Sequence, residues 1–211
     1  MLNYSVFDKW ASDYNEEVRL ADEKNEYPFA GYRRIMESIY DSVVKQGKSP
    51  IKVLDVGVGT GTLAGALYDC GNNITGIDFS NEMLATSMKK MPNASFYQCD
   101  FSVGLPSAIE GIKYDAIIST YALHHLPDEL KVTFIQSLLP YLNDGGTVYI
   151  GDIGFPTRAE YCICHEQNAD DWDDDEYYFV FSEIIDELKD TCSIAYKHIS
   201  FCAGIIEIRA S

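Results

Sequence analysis

The sequence predicts an α/β protein with a doubly wound, mostly parallel sheet of seven strands. Short apolar runs alternate with segments of helical periodicity, the pattern of strand–helix–strand units. The first strand runs directly into a glycine turn, Gly57-Val58-Gly59-Thr60-Gly61. The last two apolar runs, 194–199 and 204–208, lie too close for a crossover helix. They therefore close the sheet as an antiparallel hairpin.

Residues 29–46 place Tyr32, Ile35, Met36, Ile39, Tyr40 and Val43 at helical spacing, with Gly47 as C-terminal cap and Pro50 blocking continuation. A strand over 51–56, the glycine turn, and a helix with Leu63, Leu67 and Cys70 on one face follow, ending at Gly71. Residues 73–77 form the second strand, and Ser80 caps a helix that Pro92 stops. Residues 94–99 and 114–120 read as the third and fourth strands, and Pro127 opens a helix carrying Leu130, Phe134, Ile135 and Leu138. Asn143-Asp144-Gly145-Gly146 makes a turn into the fifth strand, 147–152, and a helix near 182–188 precedes the hairpin. The chain reads as one domain, 1–211: a helical cap (1–49), a core (51–152), an irregular, lid-like insertion (153–181), and the closing helix and hairpin (182–211). Ligands of such sheets bind beyond the carboxyl ends of the strands, an edge that cap and insertion can both cover.

The 211 residues carry 16 Lys and Arg against 33 Asp and Glu, a formal charge of −17. So acidic a surface repels phosphate backbones and anionic lipid, which argues against nucleic-acid or membrane partners. The first residues, Met1-Leu2-Asn3-Tyr4, show no basic segment followed by an apolar one, so a cytoplasmic protein is expected. The six cysteines, Cys70, Cys99, Cys162, Cys164, Cys192 and Cys202, are scattered and read as reduced, buried, small hydrophobes.

The chemistry is concentrated after the first strand. Glycines there let a ligand approach the backbone and lead into a helix N-terminus. The next strand ends with Gly76-Ile77-Asp78, an acid placed to accept both hydroxyls of a ribose. Together these features indicate an adenosine-containing cofactor. A nicotinamide fingerprint needs Gly-x-Gly-x-x-Gly, but the sixth position from Gly57 is Thr62. None of the fifteen tyrosines has a lysine four residues later, as short-chain dehydrogenases require. Gly47-Lys48-Ser49 precedes a strand instead of following one, so it is no phosphate loop.

Residues 53–61, with Asp78 and Asp100, resemble the cofactor half of the class I S-adenosylmethionine-dependent methyltransferases. Phe7-Asp8-Lys9-Trp10-Ala11 with Tyr14, and Ser119-Thr120-Tyr121-Ala122-Leu123-His124-His125-Leu126, resemble the small-molecule branch, the nearest group being the YrrT-like bacterial methyltransferases. The resemblance implies a Rossmann-like methyltransferase fold with S-adenosylmethionine as cofactor. It implies that the backbone of Gly57, Gly59 and Gly61 packs against the methionine part and that Asp55 engages its ammonium. Asp78 would hold the ribose, Met83 would lie against adenine, and Asp100 would accept from the adenine amino group beside Phe101. Thr120 would face the methionine moiety, and Tyr14 and Tyr32 are candidate lid contacts. A protein that binds this cofactor as a sensor, without transferring the methyl, is the alternative from another functional class.

A sulfonium is already an excellent leaving group, so the protein need only align a nucleophile and exclude water. No metal is expected: Cys162-x-Cys164-His165 lacks a second cluster, and Asp171, Asp173 and Asp175 mimic a calcium loop whose glycine is replaced by Glu176. His124 and His125 follow the fourth strand, at the edge where the methyl should sit. Adjacent residues on an extended stretch cannot both face a pocket, and His125 is favoured as base or substrate contact. The alternative is that the histidines only bond loop backbone. No Pro-Pro pair and no Pro-Cys occurs, as enzymes acting on DNA bases would need; with a protein substrate left as the alternative, a small molecule is the expected acceptor. The insertion holds eight acids, one arginine and seven aromatics. That composition fits a lid for a cationic substrate, or a solvated acidic loop with its rings packed inward.

Overall fold

The protein is described by a computed structural model that covers residues 16–47 and 50–210; Tyr14 and the 7–11 segment lie outside the described residues. Helices α1 (Glu16–Lys24) and α2 (Tyr32–Val44) precede strand β1 (Lys52–Val56), α3 (Thr62–Asp69), β2 (Asn73–Asp78), α4 (Asn81–Lys90) and β3 (Ser95–Gln98). Then come β4 (Tyr114–Thr120), α5 (Asp128–Leu138), β5 (Leu142–Phe155), α6 (Arg158–Gln167), β6 (Phe179–Val180), α7 (Phe181–Leu188), β7 (Cys192–Ser200) and β8 (Ala203–Ala210). The sheet order is β3-β2-β1-β4-β5-β8-β7, with β6 pairing β5 off this path. Strands β1 to β6 pair in parallel, while β8 runs antiparallel to β5 and β7 antiparallel to β8. No described helix is long and apolar enough to cross a membrane.

The period-2 alternation of the strands divides the core into two layers. Leu54 and Val56 of β1 point to one face, with Ile117, Val148 and Ile206, and are covered by Phe134, Ile135 and Leu138 of α5 and by α7. Val53 points to the other, with Ala116, Ile118 and Tyr149, under Ile35, Ile39 and Val43 of α2 and Leu63 and Leu67 of α3. A third cluster joins Tyr27, Ile153, Phe155, Cys164, Tyr178 and Cys202 at the carboxyl edge of β5.

Four expectations change. The segment Asn143-Asp144-Gly145-Gly146 is not a turn ahead of the strand but an irregularity within β5, because Tyr114 pairs with Leu142 and Ala116 with Thr147. Asn143 Nδ2 donates to Asp115 Oδ1 at 2.9 Å and Gly145 takes φ +75°, which absorbs the extra residues. Strand β5 also runs on to Phe155, because Gly154 and Phe155 pair with β6, which adds an eighth strand. Consequently 153–181 is not irregular: it holds α6 and β6, and only the stretch between them is loop. Of the six free cysteines, Cys164, Cys192 and Cys202 are buried as expected, whereas Cys70 and Cys162 are exposed and Cys99 is half-buried.

Helix α2 approaches the sheet where β5 has no side chain. A Cβ on Gly151 would lie 2.3 Å from Ile35 Cγ2 and 2.9 Å from Ile39 Cδ1. Gly151→Ala should therefore lower stability to urea by about 1–3 kcal/mol; unchanged unfolding would contradict this packing.

Candidate functional site at the carboxyl edge of the sheet

The turn after β1 is shaped by hydrogen bonds that local sequence alone does not supply. Gly57 and Val58 N–H both donate to Ile77 C=O, at 2.9 and 3.0 Å. Gly59 N–H donates to Asp78 Oδ2 at 2.8 Å, and Ser80 N–H to Asp78 Oδ1 at 2.9 Å. Gly57 takes φ +75° and a Cβ there would meet Ala122 Cβ at 2.4 Å, so only glycine suits this crossing. Gly59, at φ +53°, has nothing within 4 Å of a built Cβ; its open side is the wall of a cavity.

That cavity, of about 540 Å³, lies where open α/β sheets bind ligands. Of the sequence-predicted residues it brings together Gly57, Gly59, Asp78, Met83, Asp100, Phe101 and His125. Ser80 Oγ caps α4 by accepting from Met83 N–H at 3.3 Å, which sets Met83 at the rim. Asp100 Oδ1 accepts from Ser102 N–H and Oγ, at 2.9 and 2.6 Å, and these bonds hold its carboxyl below the usual carboxylate range. A larger cavity of about 630 Å³ lies by Lys52, Asn73 and Ser95, at the amino ends of β1 to β3, away from the glycine turn.

Four of the predicted cofactor contacts among the described residues do not line this cavity. Gly61 packs toward Met91 and Ser87, helping α3 meet α4. Thr120 is half-buried opposite Gly151. Tyr32 stacks on Tyr121, with centroids 4.7 Å apart. Asp55 is buried beneath the turn, and its Oδ1 has no hydrogen-bond partner. Burial, reinforced by the charge of Asp78, pushes its pKa up to about 8. Burial and then the charge of Asp55 raise the Tyr32 hydroxyl to about 12.

Beyond Tyr121 lies a second cavity, of about 300 Å³, lined by Phe29, Tyr121, His124, Asp171, Asp173, Glu176 and Tyr178 among others. Tyr121 and the His124–His125 turn stand between the two spaces. The histidines lie on a 3-10 turn, Leu123–His125, not on an extended stretch. Hence both project toward one carboxylate: His124 Nε2 is 3.5 Å and His125 Nδ1 3.9 Å from Glu176 Oε1. His124 Nδ1 meets Asp152 Oδ1 at 2.6 Å. Asp152 is fully buried and also accepts from Leu123, His124 and Ile153 N–H. Burial opposes a charge on His124, but Asp152 and Glu176 outweigh it and raise its pKa. His125 is lowered, by burial and by its neighbour.

Asp152, Glu176 and Tyr121 were not anticipated. Asp152 had a signal, an acid inside the apolar run 148–155. Tyr121, with φ +50°, holds a backbone conformation that non-glycine residues rarely adopt, and nothing local announces it.

Comparison with known proteins identifies the family and the fold. The family described as "Methyltransferase domain" matches residues 53–146. An uncharacterized methyltransferase of Oceanobacillus iheyensis is 35% identical over 153 residues, covering 72% of this chain and 68% of that protein. One from Bacillus cytotoxicus is 35% identical over 158 residues, 74% of this chain and 69% of its own. Among solved structures, magnesium protoporphyrin IX methyltransferase of Synechocystis with bound SAH aligns with a TM-score of 0.70 at 21% identity, covering 99% of this chain and 96% of that one. An S-adenosylmethionine-dependent methyltransferase of Clostridium acetobutylicum also gives 0.70, at 14% identity, covering 97% of this chain and 99% of its own.

The buried Asp55 has a measurable consequence in the ligand-free protein. Its folded pKa of about 8 exceeds the ordinary 3.8. Between these values the unfolded chain releases a proton that the folded one retains, so stability falls as pH rises through the window. Asp78 and Tyr32 face the group and add no positive charge. Asp55→Asn should resist urea better than the parent at about pH 8.5, by on the order of 2 kcal/mol, with the gap closing near about pH 4.5. A pH-independent difference would contradict the assignment.

Proposed function

Because the chain belongs to the class I S-adenosylmethionine-dependent methyltransferases, we propose that it methylates a small molecule held between its two cavities. The observation that carries this reading is the second cavity: about 300 Å³, walled by Phe29, Tyr121 and Tyr178, and meeting the cofactor edge at Tyr121. That volume suits a compact acceptor and is at the small end for ligand pockets.

Several features of the chain fit the cofactor. The orphaned Oδ1 of Asp55 is the buried acceptor that an ammonium would satisfy. The open face of Gly59 lets a ligand lie against backbone. Asp78 faces the cavity with lone pairs left for ribose hydroxyls, while Met83 and Phe101 supply apolar contact and Asp100 an acceptor for the adenine amino group. S-adenosylmethionine supplies a methyl group on a sulfonium, which leaves as a neutral thioether. The protein's own work is orientation and exclusion of water. Phe29, Tyr121 and Tyr178 wall the acceptor side against bulk water, and the His124–His125 turn sets the polar contacts at the junction. Where the acceptor carries a proton, His125 and Glu176 stand ready to bond it. Thr120 and Tyr32, which line neither cavity, are assigned no contact with cofactor or acceptor.

The test is to incubate the enzyme and methyl-labelled S-adenosylmethionine with a cell extract divided by ultrafiltration into small molecules and macromolecules. A labelled product distinct from S-adenosylmethionine should appear in the small-molecule fraction and fall at least about tenfold with Asp78→Ala, which removes ribose hydrogen bonds. Labelled product found in the macromolecular fraction alone would overturn the acceptor assignment.

A further inference from the structure

The junction between the two cavities holds more than hydrogen-bonding groups. One ligand atom from each of His124, His125 and Glu176 lies within 4.8 Å of the others, and His124 Nε2 and His125 Nδ1 both face Glu176 Oε1. Two of these separations, 3.5 and 3.9 Å to Glu176 Oε1, approach the roughly 3.3 Å edge of a tetrahedron with ligand bonds near 2.0–2.1 Å. The remaining contraction falls on His125, whose side chain is 56% exposed and so free to turn.

The surroundings fix the other two donors. Asp152, held by three backbone N–H groups, takes up His124 Nδ1 at 2.6 Å. With Nδ1 engaged by that carboxylate, Nε2 is the ring nitrogen left facing a second carboxylate, Glu176. Such a carboxylate–imidazole pair is how proteins orient a metal-binding histidine. Glu176 is placed by its neighbours: Tyr177 N–H donates to His124 C=O at 2.7 Å, and Lys131 Nζ bonds Tyr177 C=O. The Tyr178 hydroxyl bonds Glu176 and receives a hydrogen bond from Tyr27.

A proton on Nε2 would also relieve the facing lone pair and carboxylate. Yet 3.5 Å is too long for a normal N–H···O bond, and a shared proton gives no reason for His125 Nδ1 to turn to the same oxygen. A cation is attracted by all three. Among the described residues this is the one group of His, Cys, Asp and Glu close enough to chelate; Cys162, Cys164 and His165, the motif visible in the sequence, do not form one.

We propose that His124, His125 and Glu176 bind a divalent transition metal, of the zinc class, with at least one coordination position left open. Two imidazoles and one carboxylate suit zinc or cobalt better than magnesium or calcium, which prefer oxygen alone. Three protein ligands leave the fourth position for an exogenous group. Its consequence for catalysis rests on the proposed methyl transfer; the binding itself does not. An acceptor bound through a hydroxyl or thiol would lose its proton to solvent on coordination, as metal-bound water does. The oxygen or sulfur would then form the new bond to the methyl carbon as the carbon–sulfonium bond breaks and its electron pair stays on the cofactor sulfur. The acceptor class is accordingly a small hydroxyl- or thiol-bearing molecule able to ligate a metal.

The experiment is a cobalt(II) titration of the full-length, tag-free, chelator-treated protein, read by ligand-field absorption and followed by displacement with zinc. S-adenosylhomocysteine binding is measured in parallel by thermal shift. One equivalent of cobalt should give the intense visible bands of a four- or five-coordinate site, and zinc should abolish them. Glu176→Gln and His125→Gln should each weaken cobalt affinity at least about tenfold, since loss even of outer-shell partners costs 10–100-fold. Glu176→Gln should leave the S-adenosylhomocysteine shift in place, which also shows that the variant folds. Absence of bands, or bands unaffected by both substitutions, would overturn the metal site. Cobalt failure with intact S-adenosylhomocysteine binding strikes this proposal alone; cobalt binding with label confined to macromolecules strikes the acceptor assignment instead.

Discussion

The carboxylate of Asp78 ties the end of β2 to the turn after β1, accepting from Gly59 N–H on one oxygen and from Ser80 N–H on the other. The first bond sets the path of the glycine turn into α3, and the second sets the N-terminus of α4. Because the same carboxylate lines the cavity of about 540 Å³, the group that shapes the loop also faces the space proposed for the cofactor. Asp55 lies beneath that turn and supplies the opposite kind of feature, a buried acid with an oxygen left unbonded. Leaving such a group unmade costs free energy in the empty protein, which a cationic ligand group would recover on binding.

The second cavity, proposed for the acceptor, is built on a second carboxylate network. Asp152 within β5 gathers the 3-10 turn carrying both histidines, and the segment around Glu176 is fastened to that turn by backbone. Tyr27 stacks on Trp172, which meets Tyr178 edge-on, so the N-terminal cap and the 153–181 segment share one aromatic cluster over this edge. The acidic run is thereby divided: Asp171, Asp173 and Glu176 line the second cavity, while Asp170, Asp174 and Asp175 do not.

The edge proposed for the cofactor was legible in the sequence because its determinants are local. Strand periodicity, the glycines and an acid at a strand end sit within about one strand–helix–strand unit, and the structure brings Gly57, Gly59, Asp78, Asp100 and Phe101 to one cavity. The second cavity was not, because its contacts are remote: Asp152 reaches His124 across 28 positions. The short turn at Leu123–His125 defeated the assumption of an extended chain, on which one histidine excludes the other. Helix α6 went unseen for another reason: Cys164 is its one buried residue, so it presents no apolar stripe. The strand irregularity at 143–146 looked like a turn because its glycines and Asn143 are turn residues.

Calorimetric titration of S-adenosylhomocysteine into the parent and Asp78→Asn tests the central claim most directly. The amide keeps the size of the carboxylate and an acceptor for one backbone N–H, so circular dichroism should show an unchanged fold. Affinity should fall about 10–100-fold, the equivalent of about 1.4–2.7 kcal/mol. Equal affinity in the two proteins would show that Asp78 neither holds the cofactor nor shapes its turn, and would contradict the account.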